Sequence, residues 1–191
     1  MLALFWYNLF ILIKGRCFKD MKKKLLNTDK IINSQRSLGR IPYGFFGNAE
    51  KNACGIISVH NLKVILGLKT DFGEDYKKAS KWGTNLAIGS LGTNPFYVNR
   101  LLKKLKVDKK SYRFAKVDNL HEIFNKHDLV IIAYSWGNIM KLHYAIFEKK
   151  TDRSITGYNS NQSKSYIDVD ELINDEPIKK VIVAWGIDKK A

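Results

Sequence analysis

Asn52-Ala53-Cys54-Gly55-Ile56-Ile57-Ser58-Val59-His60-Asn61-Leu62-Lys63-Val64-Ile65-Leu66-Gly67 decides how this chain is read. A cysteine stands among small residues and opens a run that is apolar on nearly every side. Ile56, Ile57, Val59, Leu62, Val64, Ile65 and Leu66 make up that run. A helix without a polar face belongs inside a domain. Gly67 marks its end, as a C′ glycine does. Cys54 then falls at or just before the first turn, where unpaired N–H groups and the positive end of the helix dipole favour an anion. A thiol in that place is expected to have a lowered pKa and to be a nucleophile. The plain alternative is a small buried hydrophobe, which is what most free cysteines are.

Upstream, residues 25–53 read as irregular. Arg36-Ser37-Leu38-Gly39-Arg40-Ile41-Pro42-Tyr43-Gly44-Phe45-Phe46-Gly47 sets turn residues between aromatics, as in a loop that delivers Cys54. Further back, Leu2 to Ile13 is apolar except for Asn8, and Lys14, Arg16, Lys19 and Lys22 to Lys24 follow. A spanning helix needs about 20 apolar residues, so this run is too short to cross a bilayer. No basic residues precede it and no small-x-small cleavage pattern follows, which argues against a signal peptide. Residues 1–24 are expected to form an apolar/basic segment of their own. It either docks on the domain as a helix or lies on an anionic membrane surface. Residues 25–191 then make one domain.

Downstream, Glu74 to Trp82 reads as a short helix. Gly83 to Asn94 is rich in glycine but lacks the Gly-Lys-Ser/Thr of a phosphate loop. Thr93 or Asn94 caps a further helix that Pro95 starts and Leu105 ends. After that the period changes from helical to alternating. Strands are expected at Ser111–Val117, Leu129–Trp136 and Lys180–Trp185. A hairpin joins His143–Glu148 to Ile155–Asn159 around residues 149–154. Asp118–His127 and Val169–Asn174 read as short helices. Helices first and strands later predict an α+β domain built on an antiparallel sheet.

The 191 residues carry 33 Lys+Arg against 18 Asp+Glu, a formal net charge of +15, with 45% hydrophobic residues. The basic residues are dispersed, and neither zinc-finger spacing nor an RNA-recognition signature accompanies them, so nucleic acid is not the expected partner. An anionic surface or an acidic peptide remains open to a basic chain. Cys17 and Cys54 form no CxxC pair and no disulfide framework, which suits a reducing, cytoplasmic compartment. Cys17 reads as an idle thiol or a lipidation site. The carboxylates Asp168, Asp170, Glu171, Asp175 and Glu176 surround a helix cap without metal-ligand spacing. No metal or organic cofactor is expected.

His143 opens one strand of the hairpin and Asn159 lies near the end of the other, so the two points are close across the ladder. A thiol on a helix start, a base on a strand and an orienting amide on its neighbour make a Cys-His-Asn set. Asn48, six residues before Cys54, could donate to a developing oxyanion together with the Cys54 N–H. His60 lies roughly 240° around the helix from Cys54 and reads as structural. His121 and His127 read as solvated.

On these residues the sequence resembles the papain-like cysteine peptidases. It is most similar to the bacterial branch that trims double-glycine leaders from bacteriocin precursors. The resemblance rests on Asn-Ala-Cys-Gly with its apolar helix, Gly92-Thr93-Asn94-Pro95, His143-Tyr144-Ala145-Ile146 and Tyr158-Asn159, and covers roughly residues 41–186. It implies a papain-like fold with a cleft between a helical half and a sheet half. It also implies Cys54, His143 and Asn159 as catalytic residues, with Asn48 in the oxyanion position. The family usually has Gln where Asn48 stands, and the leader-trimming relatives often end the triad with Asp. The implied activity is peptide-bond hydrolysis through a thioester, acting on a peptide or protein substrate. Transglutaminase-like transfer, amidase activity, or a catalytically inactive peptide-binding relative are the alternatives.

Overall fold

The computed structural model describes residues 26, 28–81, 92–136, 142–160 and 164–189. The apolar/basic segment 1–24, Cys17 and most of the glycine-rich link lie outside the described residues. A 3-10 turn at Gln35–Leu38 leads into a short antiparallel ribbon of β1 (Pro42–Tyr43) and β2 (Gly47–Asn48). The helical half follows: α1 (Ala49–Asn52), α2 (Cys54–Ile65), α3 (Phe72–Ala79) and α4 (Pro95–Lys104). Next come β3 (Lys109–Arg113), α5 (Asn119–Lys126), β4 (Leu129–Ser135), β5 (Leu142–Thr151), β6 (Ser154–Tyr158), β7 (Ser165–Tyr166), α6 (Val169–Asp175) and β8 (Lys180–Ile187). The last six strands form one sheet in the order β3-β8-β4-β5-β6-β7, with all neighbours antiparallel.

β4 lies inside this sheet, and every one of its residues is buried. Val130, Ile132 and Tyr134 face a core closed by Leu120, Ile123 and Phe124 of α5 and Leu172 of α6. Leu129, Ile131 and Ala133 face a second core with Val59 and Leu62 of α2 and Val98 and Leu102 of α4. A strand covered on both sides has no solvent face to alternate with, hence its unbroken apolar sequence. α2 is apolar all round for the same reason. Val59 and Leu62 meet the sheet, while Ile56 and Ile57 meet Phe72, Tyr76 and Ala79 of α3. Each such aliphatic side chain, fully buried, contributes about 1.5–3 kcal/mol. The helix ends as its sequence predicts. Gly67 adopts φ 64°, its N–H donates to Val64 O at 3.1 Å, and the Leu68 N–H donates to Lys63 O at 2.8 Å.

Several expectations are corrected. The stretch expected to be irregular holds regular elements from Gln35 on: the 3-10 turn, the ribbon and α1. The hairpin strands run on to pair Thr151 with Ser154, so only Asp152 and Arg153 turn. The sequence hides this because Lys149, Lys150 and Thr151 are polar on both faces. β3 stops at Arg113 because Phe114 takes a left-handed φ of 51°. His127 is not solvated. Its Nε2 is 2.9 Å from the Tyr112 hydroxyl and its Nδ1 is 2.9 Å from Asp188 Oδ1. The ring lies over Gly186, where an added Cβ would come within 2.0 Å of it. Glu176 is the C-cap of α6, its N–H donating to Leu172 O at 2.9 Å, and its carboxylate is buried, accepting from the hydroxyls of Tyr134 (2.9 Å) and Tyr166 (2.5 Å).

Candidate active site

Cys54 is the first residue of α2, and Ala53 before it offers no side-chain cap. The cap residue therefore satisfies none of the opening N–H groups of the helix. Gly55 is required at the next position, because a Cβ there would sit 2.7 Å from Thr93 Cβ. Thr93 cannot yield easily: its hydroxyl is 2.5 Å from the Tyr43 hydroxyl, and its carbonyl accepts from the Tyr144 hydroxyl at 2.9 Å. Gly55→Ala is expected to cost about 1–3 kcal/mol through overpacking at this wall. A denaturation midpoint indistinguishable from wild type would contradict that.

The thiol is 1% exposed. Burial pushes it up to about 11, against the opposing pull of the backbone N–H groups of Tyr144, Gly55 and Cys54 itself. The lowered pKa expected from a helix start is thus overturned, because desolvation outweighs the helix dipoles. The N–H of Tyr144 places the sulfur at β5, one residue beyond His143.

His143 is 9% exposed, with its ring edge-on to Tyr134 (5.5 Å between centroids) and to Trp136 (6.0 Å). Its Nε2 is 2.6 Å from the main-chain carbonyl oxygen of Asn159. A carbonyl only accepts, so Nε2 carries the hydrogen and the neutral ring keeps its lone pair on Nδ1. Among the described residues His143 is hydrogen-bonded through Nε2. Burial lowers the imidazole pKa, while the Asn159 carbonyl and the Glu176 carboxylate work the other way. Burial thus works against charge on both the thiol and the imidazole.

Asn159 reaches His143 through its backbone, where the sequence suggested its carboxamide. It follows Tyr158, which pairs with Ile146 in the ladder, and takes a left-handed φ of 55°. The carboxamide is occupied elsewhere. Oδ1 accepts from the Gln35 N–H at 2.9 Å, and Nδ2 donates to Tyr144 O at 3.2 Å. Asn48 caps α1: its Oδ1 accepts from the Lys51 N–H at 3.1 Å, and its own N–H donates to Asn52 Oδ1 at 3.0 Å. These bonds use the Asn48 oxygen and leave its amide group as the part able to donate.

Gln35, Thr93, Tyr144 and Glu176 were not singled out from the sequence. Thr93 and Tyr144 lay inside quoted motifs, but Thr93 was read only as a candidate helix cap, a place that Asn94 takes, and nothing marked the Tyr144 side chain. Glu176 carried no signal beyond being one acidic residue in a cluster. Among the described residues no group of three or more His, Cys, Asp or Glu could hold a metal, and no helix is long and apolar enough to cross a membrane.

Two buried titratable groups of the site contribute to the pH dependence of stability. The His143 pKa is lower folded than unfolded, so the unfolded chain binds the extra proton first. Stability therefore falls as pH drops below about 6.5. The Cys54 pKa is higher folded, so the unfolded thiol ionises first and stability also falls above about pH 8.5. Urea midpoints are expected to peak between these limits. Cys54→Ala should flatten the alkaline side between about pH 8.5 and 10, below the range where tyrosines ionise. An unchanged alkaline slope in that variant would refute the assignment.

No family model matches the chain, and no curated protein matches it in sequence. Solved structures do. The peptidase domain of Streptococcus ComA, a bi-functional ABC transporter involved in a quorum-sensing pathway, superposes with a TM-score of 0.51 at 13% identity, covering 78% of this chain and 99% of that one. A double-glycine motif protease from an AMS/PCAT transporter, in complex with its leader peptide, gives 0.49 at 12% identity, covering 80% and 95%. The fold is thus the α+β architecture that the ComA peptidase domain has.

Proposed function

We propose that this protein is a cysteine peptidase that cleaves peptide bonds through a thioester on Cys54. The observation that carries the reading is the convergence on β5. The thiol at the start of a buried helix meets the strand beside an imidazole whose tautomer is set by Asn159. Nδ1 of His143 takes the thiol proton as Sγ attacks the substrate carbonyl. The developing oxyanion is met by the Cys54 N–H at the helix start, with the Asn48 amide as a second donor. The imidazolium then protonates the leaving amine, and water releases the thioester with His143 again as base. Both groups start neutral, so the proton moves during attack rather than before it.

The substrate class follows from the resemblance: a leader-type peptide with small residues, glycines above all, before the cleaved bond. Synthetic peptides with Gly-Gly at that place, and counterparts with Val-Val, test it by product mass. Cleavage of the first set with a new carboxylate end is expected. Incorporation of an added amine would make the protein an acyl-transfer enzyme instead. One observation favours a second reading, a peptide-binding relative without catalysis: the thiol is fully buried and its pKa is raised. Tight binding of the Gly-Gly peptide without cleavage would establish that reading.

A further inference from the structure

The apolar helix α2 carries three fully buried polar side chains, Ser58, His60 and Asn61, and the last two lie about two turns beyond Cys54. His60 and Asn61 hold the chain that precedes the 3-10 turn. His60 Nε2 is 2.9 Å from Lys30 O. Asn61 grips Ile32 from both sides, its Oδ1 accepting from the Ile32 N–H and its Nδ2 donating to Ile32 O, each at 2.9 Å. Three residues later the Gln35 N–H donates to Asn159 Oδ1. Segment 30–35 is thus a strap. It is tied at one end to the helix of the thiol and at the other to the residue whose carbonyl orients the imidazole.

We propose that Gln35 is a positioning residue that acts through its main chain. Its N–H clamps the Asn159 carboxamide and so keeps Asn159 in the left-handed conformation that aims its carbonyl at His143. This rests on the reading of Cys54 and His143 as thiol and base. Left-handed backbone is unfavourable for any residue with a side chain, though least so for Asn. An unclamped Asn159 would relax, and its carbonyl would swing off Nε2. The donor is well chosen. Gln35 is the first residue of the 3-10 turn, where the N–H has no partner within the helix. The Gln35 side chain is not what the strap uses, because its Oε1 is buried without a hydrogen-bond partner.

Proline tests this directly. It is tolerated at the first position of a helix, and it requires an extended residue before it, which Ser34 supplies with φ −143° and ψ 126°. Gln35→Pro replaces the N–H by a ring carbon that pushes the carboxamide away. Gln35→Ala keeps the N–H and is the reference. The readout is the rate of Cys54 carboxamidomethylation by iodoacetamide near pH 7, followed on the Cys54 peptide by mass spectrometry so that Cys17 does not interfere. The Pro variant is expected to react about tenfold slower than the Ala variant, the worth of one well-placed hydrogen bond. In an Asn159→Gly background the same pair should react equally, because no carboxamide remains to clamp. Equal rates for the folded Pro and Ala variants in the Asn159 background overturn the proposal. Hydrogen exchange reads the bond without touching residue 35. The Gln35 amide should be protected in the wild type and lose protection in Asn159→Gly, and open-loop exchange in the wild type would also overturn it. Wild-type alkylation no faster than glutathione defeats the underlying thiol–base reading instead, and leaves the exchange result to decide on the clamp.

Discussion

Cys54→Ala is expected to abolish peptide cleavage and leave the fold standing. The substitution removes one sulfur atom from a site that is already buried and packed, so the stability cost should stay near 1 kcal/mol. Removing the nucleophile of such a set lowers turnover by about 10⁶-fold, because the remaining members cannot act without it. Product mass spectrometry on the Gly-Gly peptide together with a thermal melt separates the two effects. Residual cleavage within about tenfold of wild type would remove Cys54 from the chemistry.

His143→Ala is the second large effect, and its size follows from the thiol. Burial holds Cys54 at about 11, so at pH 7 only about one molecule in ten thousand carries a thiolate. Without a base to take the proton during attack, the reaction must wait for that fraction, and the rate should fall by about 10⁴-fold. The variant should also lose its flat response to pH. Its rate should climb about tenfold per pH unit until the thiol ionises. A His143→Ala rate close to wild type at neutral pH would mean that the imidazole takes no proton from the sulfur.

The sequence was most informative where one physical demand acts on consecutive residues. α2 could be read because burial on every side demands an apolar run, and because a C′ glycine supplies the positive φ at Gly67. The start of α4 could be read because Asn94 caps it, accepting from the Phe96 N–H at 2.9 Å, and Pro95 needs no donor. Within the site, His143 and Asn159 were found by type and spacing, and they do meet. How they meet was not legible. Whether Asn159 offers its carboxamide or its carbonyl depends on a backbone φ set by a partner 124 residues away, Gln35, and no local pattern records that. The pKa of Cys54 was misjudged for a related reason. A helix start is visible in sequence, but the depth at which the fold buries it is not. His127 and Glu176 show the same limit. His127 read as solvated and Glu176 as one carboxylate around a helix cap, and each has side-chain hydrogen-bond partners drawn from other elements.

The central claim is that His143 serves Cys54 as a base. Its most direct test is the alkylation rate of Cys54 by iodoacetamide from about pH 5 to about pH 10. If the imidazole accepts the proton, the rate should rise only through the lowered pKa of His143, below about 6.5, and then stay level across neutral pH. A rate that instead climbs without a plateau towards pH 11 would show an isolated buried thiol and contradict the account.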